Sequence, residues 1–260
     1  MLKDFGKEAL DIVIQAGQSN AEGCGIGPAD DPFMPSGDIL YLDSGFMIFP
    51  ACERIWSNDI VGDFSLAFCS RYIADGRLGA GRKLLVVRAA VGGTGFLDNR
   101  WKPSDDLFLQ MLEMAKTAVE LSPRNRIAAF LWHQGETDAT LGAGREEHLG
   151  RLAALVGMVR DAFGCSRAPF VAGDFVGQWK EDNLDMCAPV VEAVRDACAR
   201  LDNARFVETA GLQSNDQRIG NGDTIHFCRD ALNKLGERYY SAFADAEAEA
   251  EAAAAAGAKA

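Results

Sequence analysis

The run DIVIQAGQSNAEG, Asp11 to Gly23, leads apolar residues straight into Gly17-Gln18-Ser19-Asn20. A serine flanked by two amides at a strand exit either caps a helix or belongs to a site. It attacks only where a base removes its proton, because a free hydroxyl is a weak nucleophile at neutral pH. The chain has three histidines. His148, within GREEHLGRL, is expected on the surface of a helix. His133 reads as structural, since strand alternation turns it away from its neighbours. His226 follows Asp223 by three residues in GDTIHF. Such a turn brings a carboxylate onto one ring nitrogen, fixes the tautomer and leaves the other nitrogen free to accept a proton. His226 is therefore the expected base and Asp223 its orienting acid.

An acyl-transfer oxyanion needs hydrogen-bond donors. Ser19 N–H at a strand-to-helix turn is one; Gly92 or Gly93 N–H in VGGTGF is a second; the Gln134 carboxamide in WHQGETD is a third. Losing one such donor costs roughly 10²–10³ in rate. Gln18, Asn20, Thr94, Trp101 and Glu136 are the supporting or substrate-binding candidates. Each residue also has a plainer reading. Ser19 or Asn20 can be a helix cap, and Asp223 can cap the last helix. The glycines can simply turn the chain, since they lack dinucleotide-fingerprint spacing. Glu136 and Asp138 can be solvated acids, Trp101 loop packing and Cys228 core filler. Taken jointly, the plainer readings require four coincidences at one rim.

That rim follows from the elements that must carry the motifs. Five runs read as strands covered on both faces: 11–17, 83–90, 127–134, 169–175 and 204–210. Their near-continuous apolar character suits a parallel sheet. Helical stretches at 62–75, 105–121, 145–163, 186–201 and after His226 alternate with them, which predicts an open doubly wound α/β sheet with helices on both faces. In an open parallel sheet ligands bind beyond the strands' carboxyl ends, and the four polar clusters lie there. Residues 20–59 read as a long Gly/Pro-rich functional loop with a short strand at ILYLD. The Ala/Glu tail, 244–260, is expected to fray.

Composition narrows the classes. A net charge of −12 disfavours nucleic acid, whose phosphates repel such a surface. No stretch approaches the ~20 apolar residues of a membrane span, and no leader pattern is visible. Seven scattered cysteines without a CxxC pair point to reduced thiols in a cytoplasm.

GQSN, GGT, WHQGETD and DTIH, in this order, resemble the SGNH hydrolases, most closely their sialate O-acetylesterase-like, carbohydrate esterase family six branch. The likeness spans roughly Asp11 to Phe243 and implies a flavodoxin-like three-layer α/β/α sandwich with a five-stranded parallel sheet in one domain, 1–243. It implies ester hydrolysis without a cofactor or metal, on a small-molecule or saccharide ester. Ser19 matches the nucleophile, His226 the base, Asp223 the acid, and the glycine pair and Gln134 the oxyanion positions; Glu136 matches a recurrent acid of open role. The expected reaction is removal of a small acyl group, acetyl foremost, from a carbohydrate. A thioesterase or lipid esterase on the same machinery and a non-catalytic glycan-binding module are the alternatives.

Overall fold

The structure is a computed structural model that describes residues 5–28, 31–56 and 59–257. In chain order, β1 (Ala9–Gly17) leads into the one-turn α1 (Ser19–Glu22). Five short strands follow, β2 (Gly25–Pro28), β3 (Ile39–Leu42), β4 (Ile48–Pro50), β5 (Arg54–Trp56) and β6 (Asp59–Gly62). Next come α2 (Ser65–Ala74), β7 (Arg82–Arg88), α3 (Asp106–Glu120), β8 (Arg126–His133), α4 (Glu136–Thr140) and α5 (Arg145–Phe163). The chain closes with β9 (Phe170–Gly173), α6 (Gly177–Asp182), α7 (Leu184–Arg200), β10 (Ala204–Val207), α8 (Asn215–Ile219) and α9 (Arg229–Gly257).

The main sheet runs β10-β9-β8-β1-β7-β3-β4. The five expected strands are its β1, β7, β8, β9 and β10, all paired in parallel. Counted from β7 they stand in flavodoxin-like order 2-1-3-4-5, so the topological switch falls between β1 and β8. Seven strands form the sheet rather than five. Residues 39–42 add a sixth parallel strand, and 48–50 fold back antiparallel as the edge. The segment read as an irregular loop also builds a separate antiparallel sheet, β2-β6-β5. Its strands are three or four residues long, too short for a periodic apolar signal.

Every residue of β1 is buried, as a central strand with helices on both faces requires. Leu10, Ile12, Ile14 and Ala16 face one apolar layer together with Phe108, Met111 and Met114 of α3 and Leu152 and Val156 of α5. Val13 faces the other, with Phe68 and Tyr72 of α2 and Tyr239 and Phe243 of α9. On α3 the buried positions Leu107, Phe108, Met111, Met114, Ala115 and Ala118 recur at three- and four-residue steps, one helical stripe. Each large side chain so buried contributes roughly 1.5–3 kcal/mol.

Within the described residues the tail continues the last helix. Helix α9 continues to Gly257, Ala246 is buried, and Glu247 and Glu249 pair with Arg77 and Arg205. Residues 258–260 lie outside the described residues. Among the described residues no helix is long and apolar enough to cross a membrane.

Candidate active site

The chain must leave β1 where β8 runs alongside, and only a residue without a side chain fits. Gly17 has φ +127°, and a Cβ there would lie 2.1 Å from the His133 carbonyl oxygen. Gln18 N–H then donates to that same carbonyl at 2.9 Å, which ends the strand and starts α1 at Ser19. The Ser19 amide thus lies in a first helical turn, where N–H groups have no intrahelical acceptor.

The loop before α9 brings the second half of the site to this turn. Ser19 Oγ donates to His226 Nε2 at 2.8 Å, and His226 Nδ1 donates to Asp223 Oδ1 and Oδ2 at 2.9 and 3.0 Å. Asp223 is itself held, with Oδ2 accepting from Asn215 Nδ2 at 2.8 Å. Asn215 is buried; its Nδ2 also donates to Cys24 O, and its Oδ1 accepts from Ile26 N–H. An imidazole with Nδ1 on a carboxylate and Nε2 on a hydroxyl can take the hydroxyl proton as the oxygen attacks.

These groups open on a cavity of about 440 Å³ lined by Gln18, Ser19, Gly92, Gly93, Glu136 and His226, with Thr137, Leu141 and Ile225 among its other walls. Four expected site residues lie behind that surface instead. Trp101 is fully buried, edge-on to Trp132 at 5.1 Å, and donates Nε1–H to Thr94 Oγ1. It is core packing, not a sugar platform. Thr94 is buried and donates its hydroxyl to Val91 O, closing the glycine turn. Asn20 laces the rim together: Nδ2 donates to Glu136 Oε1 and Ile225 O, and Oδ1 accepts from Phe227 N–H. Gln134 is 1% exposed. Its Nε2 donates to Asp138 Oδ2 at 2.9 Å and Thr94 O at 3.2 Å, so both hydrogens are committed and neither reaches the cavity. The expectation of an oxyanion donor there is corrected on that ground.

His148 also departs from expectation. It is buried, not on the surface, with Nδ1 3.5 Å from Asp138 Oδ2 and its ring edge-on to Phe96. Asp138 is no solvated acid either. It accepts from Phe96 N–H, Leu97 N–H and Gln134 Nε2. Burial pushes its carboxyl up, but His148 and the two amides pull it below the ordinary carboxylate value. The acid moors the loop that carries the glycines.

Glu136 and His133 form a second buried pair. Tyr239 O–H donates to Trp132 O, so its oxygen accepts from His133 Nδ1–H at 3.0 Å. The Nε2 lone pair therefore has no donor among the described residues and lies 3.9 Å from Glu136 Oε1. Burial drives the His133 pKa down to about 3 and keeps the ring neutral. Burial likewise raises the Glu136 carboxyl above its ordinary value.

Sequence reading passed over Glu22, which lines the cavity, and Asn215. The signal for Glu22 was available, since it stands one helical turn beyond Ser19. Asn215 carries no local pattern; its role arises from the loop crossing that brings it to Asp223.

The sheet order is the flavodoxin-like one that the resemblance implies, and the rim motifs gather at the carboxyl ends of its parallel strands. Residues 9–245 match the family model described as carbohydrate esterase, sialic acid-specific acetylesterase, and the chain belongs to that family. Among solved structures it is similar to NanS, with TM-score 0.76 and 18% identity over 92% of this chain and 97% of that one. A protein from Arabidopsis thaliana matches with TM-score 0.68 and 19% identity over 92% and 98%. A carbohydrate acetylesterase from Xanthomonas citri matches with TM-score 0.59 and 17% identity, over 89% of this chain and 55% of that one. No curated protein matches the sequence significantly.

Proposed function

We propose that the protein is a serine esterase that removes small acyl groups, acetyl foremost, from sugar hydroxyls through an acyl-Ser19 intermediate. The observation that carries this reading is the relay from Ser19 Oγ to His226 Nε2 at 2.8 Å and from Nδ1 to Asp223. As Oγ attacks the ester carbonyl, His226 Nε2 takes its proton, a C–O bond forms, and the carbonyl electron pair moves onto oxygen. Ser19 N–H and an amide of the glycine turn receive that oxyanion. The tetrahedral centre then collapses, the bond to the alcohol breaks, and the Nε2 proton passes to the leaving sugar oxygen. Water repeats both steps, releasing acetate and restoring Ser19. Asp223 holds the ring by Nδ1 and stabilises the imidazolium that forms in each half.

Membership of the family makes an O-acetylated sialic acid the first substrate to assay. The cytoplasm remains the compartment we propose. Turnover of p-nitrophenyl acetate should exceed that of the octanoate, and a fluorophosphonate should label Ser19. Ser19→Ala should lower turnover by at least about 10³-fold with an unchanged melting temperature, because the hydroxyl lies on a rim. Labelling at another residue, or a preference for octanoate, would overturn the reading.

A further inference from the structure

We infer that Glu22 is a positioning residue for acyl transfer: it pins the Gly92–Gly93 turn to the nucleophile helix and takes up the Gly92 N–H, leaving Gly93 as the turn's oxyanion donor. The inference rests on the esterase reading of Ser19.

Glu22 ends α1, one turn beyond Ser19, so both side chains rise on the same face. Its Oε2 accepts from Gly92 N–H at 2.8 Å, a charge-assisted bond to backbone. Its main chain is equally engaged. The Glu22 carbonyl accepts from Arg88 Nη2, and the next carbonyl, Gly23, accepts from Arg54 Nη2 at 2.8 Å. Arg88 is the last residue of β7 and Gly92 lies just past it. One residue therefore ties α1 to β7 through its carbonyl and to the following turn through its carboxylate.

The turn needs such a tether because it approaches Ser19 so closely. A Cβ on Gly92 would lie 3.5 Å from Ser19 Cβ and 3.2 Å from Glu22 Oε2. Gly93 has φ +69° and nothing within 4 Å of its Cβ position, so packing alone does not hold it. Displacing a hydrogen-bond donor by about 1 Å can cost on the order of 10²-fold in rate.

Steady-state kinetics on p-nitrophenyl acetate test the tether, with Ser19→Ala setting the background. Glu22→Ala should lower kcat by about 10- to 100-fold, with KM and melting temperature little changed, since Glu22 is only half-buried. Glu22→Gln keeps an acceptor oxygen and should recover most of the loss. In a crystal structure of the Ser19 phosphonate adduct, the phosphonyl oxygen should sit about 3 Å from Gly93 N, with Glu22 still on Gly92. An undiminished or raised kcat in Glu22→Ala, a change in KM alone, or an adduct oxygen on Gly92 N with Glu22 displaced would each overturn the inference while the Ser19 reading stands. A wild type no more active than Ser19→Ala would overturn both.

Discussion

The two ends of β1 hold buried polar groups in opposite conditions. At the amino end, Asp11 is fully buried, yet every lone pair has a taker. Arg82 Nε donates at 2.8 Å, Arg126 Nε and Nη2 at 2.6 and 3.0 Å, and Tyr72 O–H at 3.0 Å. At the carboxyl end, Glu136 Oε2, Gln134 Oε1 and His133 Nε2 are buried with no partner among the described residues. A buried charge that is fully paired stabilises the fold, whereas buried polar groups left short of partners cost stability where they stand. The same strand is thus anchored at one end and poised at the other.

Breaking the anchor should produce the largest effect on stability. Removing one partner of a buried ion pair costs about 3–5 kcal/mol, because the guanidinium groups are left without a counter-charge. Part of that is discounted here because Arg126 is 59% exposed and water can replace its partner. Asp11→Ala should still unfold at markedly lower denaturant concentration, with kcat in the folded fraction unchanged. The pH dependence sharpens the point. Burial pushes the Asp11 carboxyl up, but Arg126, Arg82 and Tyr72 hold it below the ordinary value of 3.8. Its contribution is therefore complete above that value and drains away as pH falls through the lower folded pKa. Melting temperatures between pH 6 and pH 2 should fall less steeply in Asp11→Asn than in wild type; parallel curves would remove Asp11 as the anchor.

At the poised end, Asp223→Asn should leave stability nearly untouched and lower kcat by about 10²-fold, the low end for positioned acid–base groups. The loss is modest because Asp223 is a quarter exposed and water can partly replace it. His226→Ala should cost more. Equal activity of Asp223→Asn and wild type would reduce the aspartate to a loop cap.

The contrast also explains what could be read from the chain. Elements with a long apolar period were legible: α5 spans Arg145–Phe163, as its pattern predicts, and β1, β7 and β8 lie within one or two residues of their expected bounds. Asp223 and His226 were legible because a three-residue spacing on a turn allows the contact they make. Gln134 and Trp101 misled because their types suit a site while tertiary packing directs them inward. His148 misled because the charged residues around it, GREEH, hid a single inward position. The docking of the tail was not legible because it depends on Arg77 and Arg205, which lie far away in sequence and leave no periodic trace.

The smallest effect expected is at Glu136, and it is the most diagnostic of the poised end. Burial raises this carboxyl above its ordinary 4.5, so the folded state holds its proton more tightly than the unfolded one. Stability must then decline as pH rises from 4.5 toward the folded pKa, the reverse of Asp11. Glu136→Gln removes that penalty and, with its carboxamide oxygen in the Oε1 position, preserves the acceptor for Asn20 Nδ2. At pH 8 the variant should be at least as stable as wild type, the two should converge below pH 4.5, and kcat should change by no more than about threefold, within ~0.7 kcal/mol. A larger fall in kcat with unchanged stability would instead mean that a charged Glu136 acts on His226 across the rim, and the division between an anchored and a poised end would have to include an electrostatic role for the buried acid.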